Sequence, residues 1–139
     1  MDTLSVLLQN VHLFETKYYR LNVTGNWSYS LTRQDTILFY LVMSGGFCID
    51  VGNGPRETRA GDMIMIPSAH QHMSYALNYH SDEAQPLDEL LTSCKDHTLD
   101  LKGDGDSEAS LILIECKYDK AMIRPLLSVL PPILPDVID

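Results

Sequence analysis

Positive charge is scarce in this chain. Ten lysines and arginines stand against nineteen aspartates and glutamates, a formal net charge of −9 with histidine neutral. Nucleic-acid binding rests on neutralising phosphates with basic side chains, so a chain with this balance is repelled by DNA and by anionic lipid. Cysteine is nearly absent too. Cys48, Cys94 and Cys116 are widely spaced, odd in number and form no C-x-x-C pair. That argues against a disulfide framework and a zinc knuckle, and it fits a reduced, cytoplasmic setting. No apolar run nears the roughly 18 residues of a membrane span, so no membrane partner is expected. Met1-Asp2-Thr3-Leu4 lacks the basic flank of a signal peptide. Without secretion, the glycosylation-like Asn22-Val23-Thr24 and Asn26-Trp27-Ser28 carry no meaning. Also missing are an internal repeat, a nucleophile elbow around Ser5, Ser74 or Ser110, and a phosphate-cradling loop. Gly52-x-Gly54 follows a strand but opens no helix.

What the chain does have is alternation and turns. With 139 residues and 45% hydrophobic content it is one domain, 1–139, able to build a core without staples. Residues 38–73 organise it. An apolar run over 38–43 is broken by Ser44-Gly45-Gly46. Phe47, Ile49 and Val51 then alternate with Cys48 and Asp50, the period of a half-buried strand. Gly52-Asn53-Gly54-Pro55 is a turn, 56–59 a short polar edge strand, and Ala60-Gly61-Asp62 a second turn into the strand 63–66. Pro67 ends that strand and 70–75 begins another. Upstream, 13–23 and 27–31 alternate around the turn at Gly25-Asn26, followed by a polar loop at Arg33-Gln34-Asp35. Downstream come a polar excursion over 78–106, with a helical patch at 87–91 and a strand at 97–101, and then a strong strand from Leu111 to Tyr118. Helical spacing of Leu4, Leu7, Leu8 and Val11 predicts a short helix over 4–11, and a second is expected in the tail from Arg124, stopped by Pro131-Pro132. Antiparallel strands with short turns predict a sandwich or small barrel.

Few residues carry chemistry. His70 and His72 lie two apart, on one face if the segment is a strand, and could begin a metal site. Such a site needs a third histidine or carboxylate, and nothing in the spacing ties His80, His97, Glu115 or Asp50 to them. Asp104, Asp106, Glu108 and Glu115 mimic calcium-loop positions, but Ala109 replaces the required glycine and 111–115 reads as strand; a solvated turn is the simpler reading. Cys48 and Cys116 read as inert half-buried strand residues. Trp27 belongs more naturally to the core than to a binding platform.

Gly61, Asp62, four apolar residues, Pro67 and His72 resemble the second cupin motif, with Ala69 at that motif's second glycine. The stretch 39–50 resembles part of the first motif. Its metal-ligand positions fall near Leu31, Arg33 and Leu38, none of which is a ligand. The ordered set is wider: Asp2, Leu4, Leu7 and Leu8; Gly25-x-Trp27; the cupin-like centre; Gly103-x-Gly105; Tyr118-Asp119; and Arg124-Pro125-Leu126-Leu127 with Leu130-Pro131-Pro132. Together these resemble the amino-terminal cupin domain of AraC-type transcription regulators, over nearly the whole chain.

The resemblance implies a mostly β, cupin-like antiparallel barrel (a double-stranded β-helix or jelly roll) with short helices at both ends. It implies a sensor or dimerisation domain, a small-molecule effector, a homodimer, and DNA contact only through a C-terminal domain with two helix-turn-helix motifs. No stretch of these residues supplies that second domain, so a fragment or a truncated relative is expected. His72 is the remnant cupin position, facing the interior. No catalysis and no cofactor are expected. The expected ligand-binding residues are Trp27, Tyr29, Tyr40, His70, His72 and Ser74, on strands flanking the barrel mouth, where a small barrel can hold one ligand. Two other readings stand beside this one. The first is a stand-alone metal-dependent cupin enzyme, a dioxygenase or isomerase, using His70 and His72. The second is a dimerisation module whose barrel is filled by its own side chains.

Overall fold

Period-two patterning becomes pleat almost wherever it occurs. In the computed structural model, which describes residues 13–52, 54–67, 71–77, 79, 84–118 and 133–135, the chain forms two sheets. The first carries six strands: β1 (Leu13–Thr24), β3 (Thr36–Ser44), β6 (Met63–Ile66), β9 (Thr98–Lys102), β10 (Glu108–Tyr118) and β11 (Leu134–Pro135). Their order across the sheet is β11-β6-β3-β10-β1-β9. The second carries five: β2 (Ser28–Leu31), β4 (Cys48–Asp50), β5 (Pro55–Glu57), β7 (His72–Tyr75) and β8 (Gln85–Pro86), ordered β5-β4-β7-β2-β8. One short helix, α1 (Leu87–Leu90), runs on into a 3-10 turn (Leu91–Ser93). Its Leu87 is fully buried and anchors it.

Leu21, Val42, Leu111 and Leu113 of the first sheet face Trp27, Tyr29, Leu31, Phe47 and Ile49 of the second, and all belong to one buried core. Strand β3 lies between β10 and β6, and its near-continuous apolar run is buried on both faces: Leu38 and Tyr40 inward, Ile37 and Phe39 outward. Most pairings are antiparallel, as expected, but the sheets gain two parallel edges, β1 with β9 and β2 with β8. The polar segment 55–57 is an edge strand and is exposed.

Two loops clamp one end of the sandwich. Gly25 N–H donates to the Ser107 carbonyl at 2.7 Å, Asn26 N–H to Asp104 at 2.9 Å, and Gly103 N–H to Thr24 at 2.8 Å. Gly25 sits at φ +70°, and a Cβ there or on Gly103 would run into the opposing backbone carbonyl, Gly103's or Asn26's respectively. The glycines of Gly25-x-Trp27 and Gly103-x-Gly105 therefore belong to a single contact. The expected helices over 4–11 and from Arg124 lie outside the described residues. At the end of that tail, Leu134–Pro135 pairs with β6 as a strand.

Candidate functional site

The inner faces of the two sheets can be followed row by row. Along β2 and the residue before it the inward side chains are Trp27, Tyr29 and Leu31, and along β7 and the residue after it His72, Ser74 and Ala76. Tyr29 lies opposite Ser74, and Leu31 opposite His72. On the other sheet, Tyr40 lies opposite Leu113, and Leu38 opposite Glu115. Alternation along three separate strands thus delivers two phenols, an imidazole and a hydroxyl to one place.

These groups bond to one another. Tyr29 O–H donates to Tyr40 Oη at 2.9 Å, and Tyr40 Oη lies 2.7 Å from His72 Nε2. With Tyr29 donating, the Tyr40 proton is directed at Nε2, which accepts it. All four residues are buried, none more than 1% exposed. The Ser74 hydroxyl faces both phenols without a well-aligned hydrogen bond, and its proximity lowers the pKa of each. Burial is the larger influence: it pushes Tyr29 up to about 12 despite its bond to Tyr40. Tyr40 is raised well above 10, by burial first and then by the neighbouring Tyr29. Both phenols are thus held protonated, as hydrogen-bonding hydroxyls. An aromatic shell encloses them. Trp27 stacks on Tyr29 at 5.7 Å, Phe47 tilts against Tyr40 at 5.5 Å, and His72 meets Tyr40 edge-on at 5.6 Å.

The mouth lies further along the same inner faces and is charged. A cavity of about 310 Å³ is lined by Lys17, Tyr19, Arg33, Thr36, Asp88, Leu91, Glu115 and Lys117. Glu115 continues the inward phase of Leu111 and Leu113 and is buried. Arg33 Nε donates to Glu115 Oε1 at 2.7 Å, while its two terminal nitrogens fork onto the Asp88 carboxylate at 3.0 and 2.7 Å. Burial works to lower the Arg33 pKa, but the bonds and charges of Asp88 and Glu115 outweigh it and raise the value. Two more clefts are present. One of about 340 Å³ runs between the β8 and β9 edges and includes Trp27, Leu90 and Leu101. The other, about 130 Å³, lies at the opposite end by Gly45, Gly46 and Trp27.

Five of the six expected ligand-binding residues, Trp27, Tyr29, Tyr40, His72 and Ser74, come together. His70 lies outside the described residues. The expectation that they flank the mouth is corrected: they sit deeper, in the core, and of them only Trp27 lines any of the three cavities. The mouth residues Arg33 and Glu115 were not expected at a site, because Arg33 reads as part of a polar loop. The signal for it was phase: Arg33 continues the inward series Trp27, Tyr29, Leu31. Glu115, one of the calcium-loop candidates, is bonded to Arg33 instead. Among the described residues no three histidine, cysteine or acidic groups are placed to hold a metal. The Cys48 and Cys116 thiols are buried, and burial raises both pKa values, as suits inert side chains. No helix among the described residues is long and apolar enough to cross a membrane.

A family model described as Cupin matches residues 2–135. The chain is 21% identical over 136 residues to the HTH-type transcriptional regulator AlkR of Acinetobacter baylyi; the match covers 96% of this chain and 44% of that regulator. Among solved structures, a cupin-2 domain containing protein from Shewanella frigidimarina superposes with a TM-score of 0.44 at 17% identity, over 82% of this chain and 88% of that one. ToxT of Vibrio cholerae, solved with an unsaturated fatty acid bound, gives a TM-score of 0.46 at 12% identity, over 94% of this chain and 43% of ToxT.

Proposed function

This chain belongs to the cupin family, and from that premise we propose that it is the effector-sensing domain, or the sensing and dimerisation domain, of an AraC-type transcription regulator. It binds a small molecule in its barrel and carries out no catalysis. The observation that carries this reading is the Tyr29–Tyr40–His72 chain of hydrogen bonds, with Ser74 beside it, in the middle of the core. A barrel that only needed filling would be served by apolar side chains, because buried polar groups stabilise only when satisfied. Four polar groups on three strands, under a Trp27 and Phe47 shell, instead give a buried polar cluster that can exchange its internal bonds for those of a ligand. Similarity to a helix-turn-helix regulator along 96% of the chain supports the regulatory role. DNA contacts belong to a separate domain of the parent protein. That division fits the net charge of −9 on this chain. The ligand acts by favouring one of two arrangements of the attached domains.

The test is a thermal-shift screen of the purified chain against small organic molecules, repeated on Trp27→Ala and His72→Ala. A ligand at about 100 times its Kd stabilises the folded state by about 2.7 kcal/mol, well within detection. Both substitutions are expected to weaken binding while the domain stays folded. A ligand whose affinity is the same in wild type and both variants would remove this pocket.

A further inference from the structure

The geometry points to a carboxylate-binding site at the barrel mouth, in which a ligand carboxylate takes the place of Asp88 on Arg33. The inference rests on the sensor reading and names the chemical class of the ligand.

Arg33 is held from two sides by unequal partners. Glu115 is 8% exposed in its side chain and takes Nε at 2.7 Å, which fixes the guanidinium plane in the mouth. Asp88 is 66% exposed and takes both terminal nitrogens. A planar fork of two N–H groups is the geometry that receives a carboxylate, and here an exposed side chain of this same chain already occupies it. Solvent reaches and screens the Asp88 pair, whereas the Glu115 pair is sheltered, so Asp88 is the partner that can exchange. A rotation of the Asp88 side chain into water is enough to vacate the fork.

Lys17, Arg33 and Lys117 line the cavity together with Glu115 and Asp88. Tyr19 and Leu91 supply apolar wall, and about 310 Å³ is room for a small organic acid. The exchange also has a structural readout. Arg33 ties α1, through Asp88, to β10, through Glu115. A carboxylate that displaces Asp88 removes this tie between the helix and the large sheet, giving the differential contact that a sensing domain needs.

Acetate is the probe, with acetamide as its uncharged counterpart, and the Arg33 Nε–H resonance of the labelled 139-residue chain is the readout. Asp88→Ala removes the internal competitor and, being at an exposed position, leaves the fold intact. Acetate is expected to perturb the Arg33 signal at about tenfold lower concentration in Asp88→Ala than in wild type. Acetamide is expected to do nothing in either, and Asp88→Ala combined with Arg33→Gln is expected to lose the acetate response in the backbone amides around Glu115 and Leu91. Equal acetate affinity with and without Asp88, equal response to acetamide, a response that survives loss of Arg33, or no acetate response in either chain would each overturn the site. None of these outcomes touches the sensor reading, which stands or falls on the Trp27 and His72 variants.

Discussion

The interior and the mouth of this barrel share the same inner faces, a few residues apart, yet they hold their polar groups by different means. Inside, Tyr29, Tyr40 and His72 form a hydrogen-bonded chain with no water-facing member. At the mouth, Arg33 is clasped by one sheltered and one exposed carboxylate. The contrast follows from desolvation. A full charge deep in a low-dielectric core loses far more hydration than a nearby partner restores, whereas a phenol loses less and is satisfied by one or two bonds. Two residues further out along β10, solvent reaches the site and an arginine can stay charged. Neutral donors and acceptors therefore line the interior, and ions line the rim.

Removing one group from each region should separate the two. Tyr40→Phe takes the central hydroxyl from the chain and deprives both the Tyr29 hydroxyl and His72 Nε2 of that partner. The expected loss is about 3 kcal/mol of unfolding free energy in urea, since each stranded buried group costs about 1–3 kcal/mol. Tyr29→Phe removes only the terminal donor and should cost about 1 kcal/mol. If the two losses are equal, the chain does not run through Tyr40.

Alkali gives the second test of the interior. The folded-state pKa of Tyr29 is raised above its unfolded value of 10.0 to about 12. A group raised in this way contributes stability that is fully present below pH 10 and is lost as pH climbs through about 12. Tyr29 should lower stability over that window by on the order of 2–3 kcal/mol; Tyr29→Phe should reduce the fall and leave the share due to Tyr40. A pH-independent plateau across the window would mean that the phenol is not desolvated.

At the mouth the effects are smaller. Glu115→Gln keeps the shape but removes the sheltered charge opposite Arg33, with an expected loss of about 2 kcal/mol. Asp88→Ala, at an exposed position, should cost less than about 1 kcal/mol. Urea titrations that find Asp88 worth as much as Glu115 would erase the distinction between fixed and exchangeable partner on which the carboxylate site depends.

Much of the barrel was legible from the chain, and the reasons differ by element. Strands with strong alternation (β1, β2, β4) declare themselves because one face must be buried, and β10 through its apolar run at 111–114. Turns at 52–55 and 60–62 declare themselves through glycine, proline and asparagine chemistry. The two-residue strands β8 and β11 have no period to read; their pairing is decided by which edge the rest of the sheet leaves open. Trp27, Tyr29, Tyr40, His72 and Ser74 were gathered by their placement on neighbouring strands and their polar tips, and inward phase along each strand is what brings them together. Their depth could not be counted, since it depends on how the rows of one sheet stack over those of the other. Arg33 was hidden by its type. A charged residue just past a strand's apolar series reads as loop, although its phase with Leu31 already aimed it at the mouth. Glu115, in phase with Leu111 and Leu113, carried the same signal: a charge at an inward position calls for an opposite charge nearby.

Whether this barrel recognises or transforms is decided most directly by its metal content. The chain can be produced with iron, zinc, nickel and manganese available, purified without chelator, and measured by elemental analysis beside His72→Ala. The account predicts metal far below one ion per chain, and no difference between the two proteins. One tightly held ion per chain that disappears with His72 would make the barrel a metal centre and contradict it.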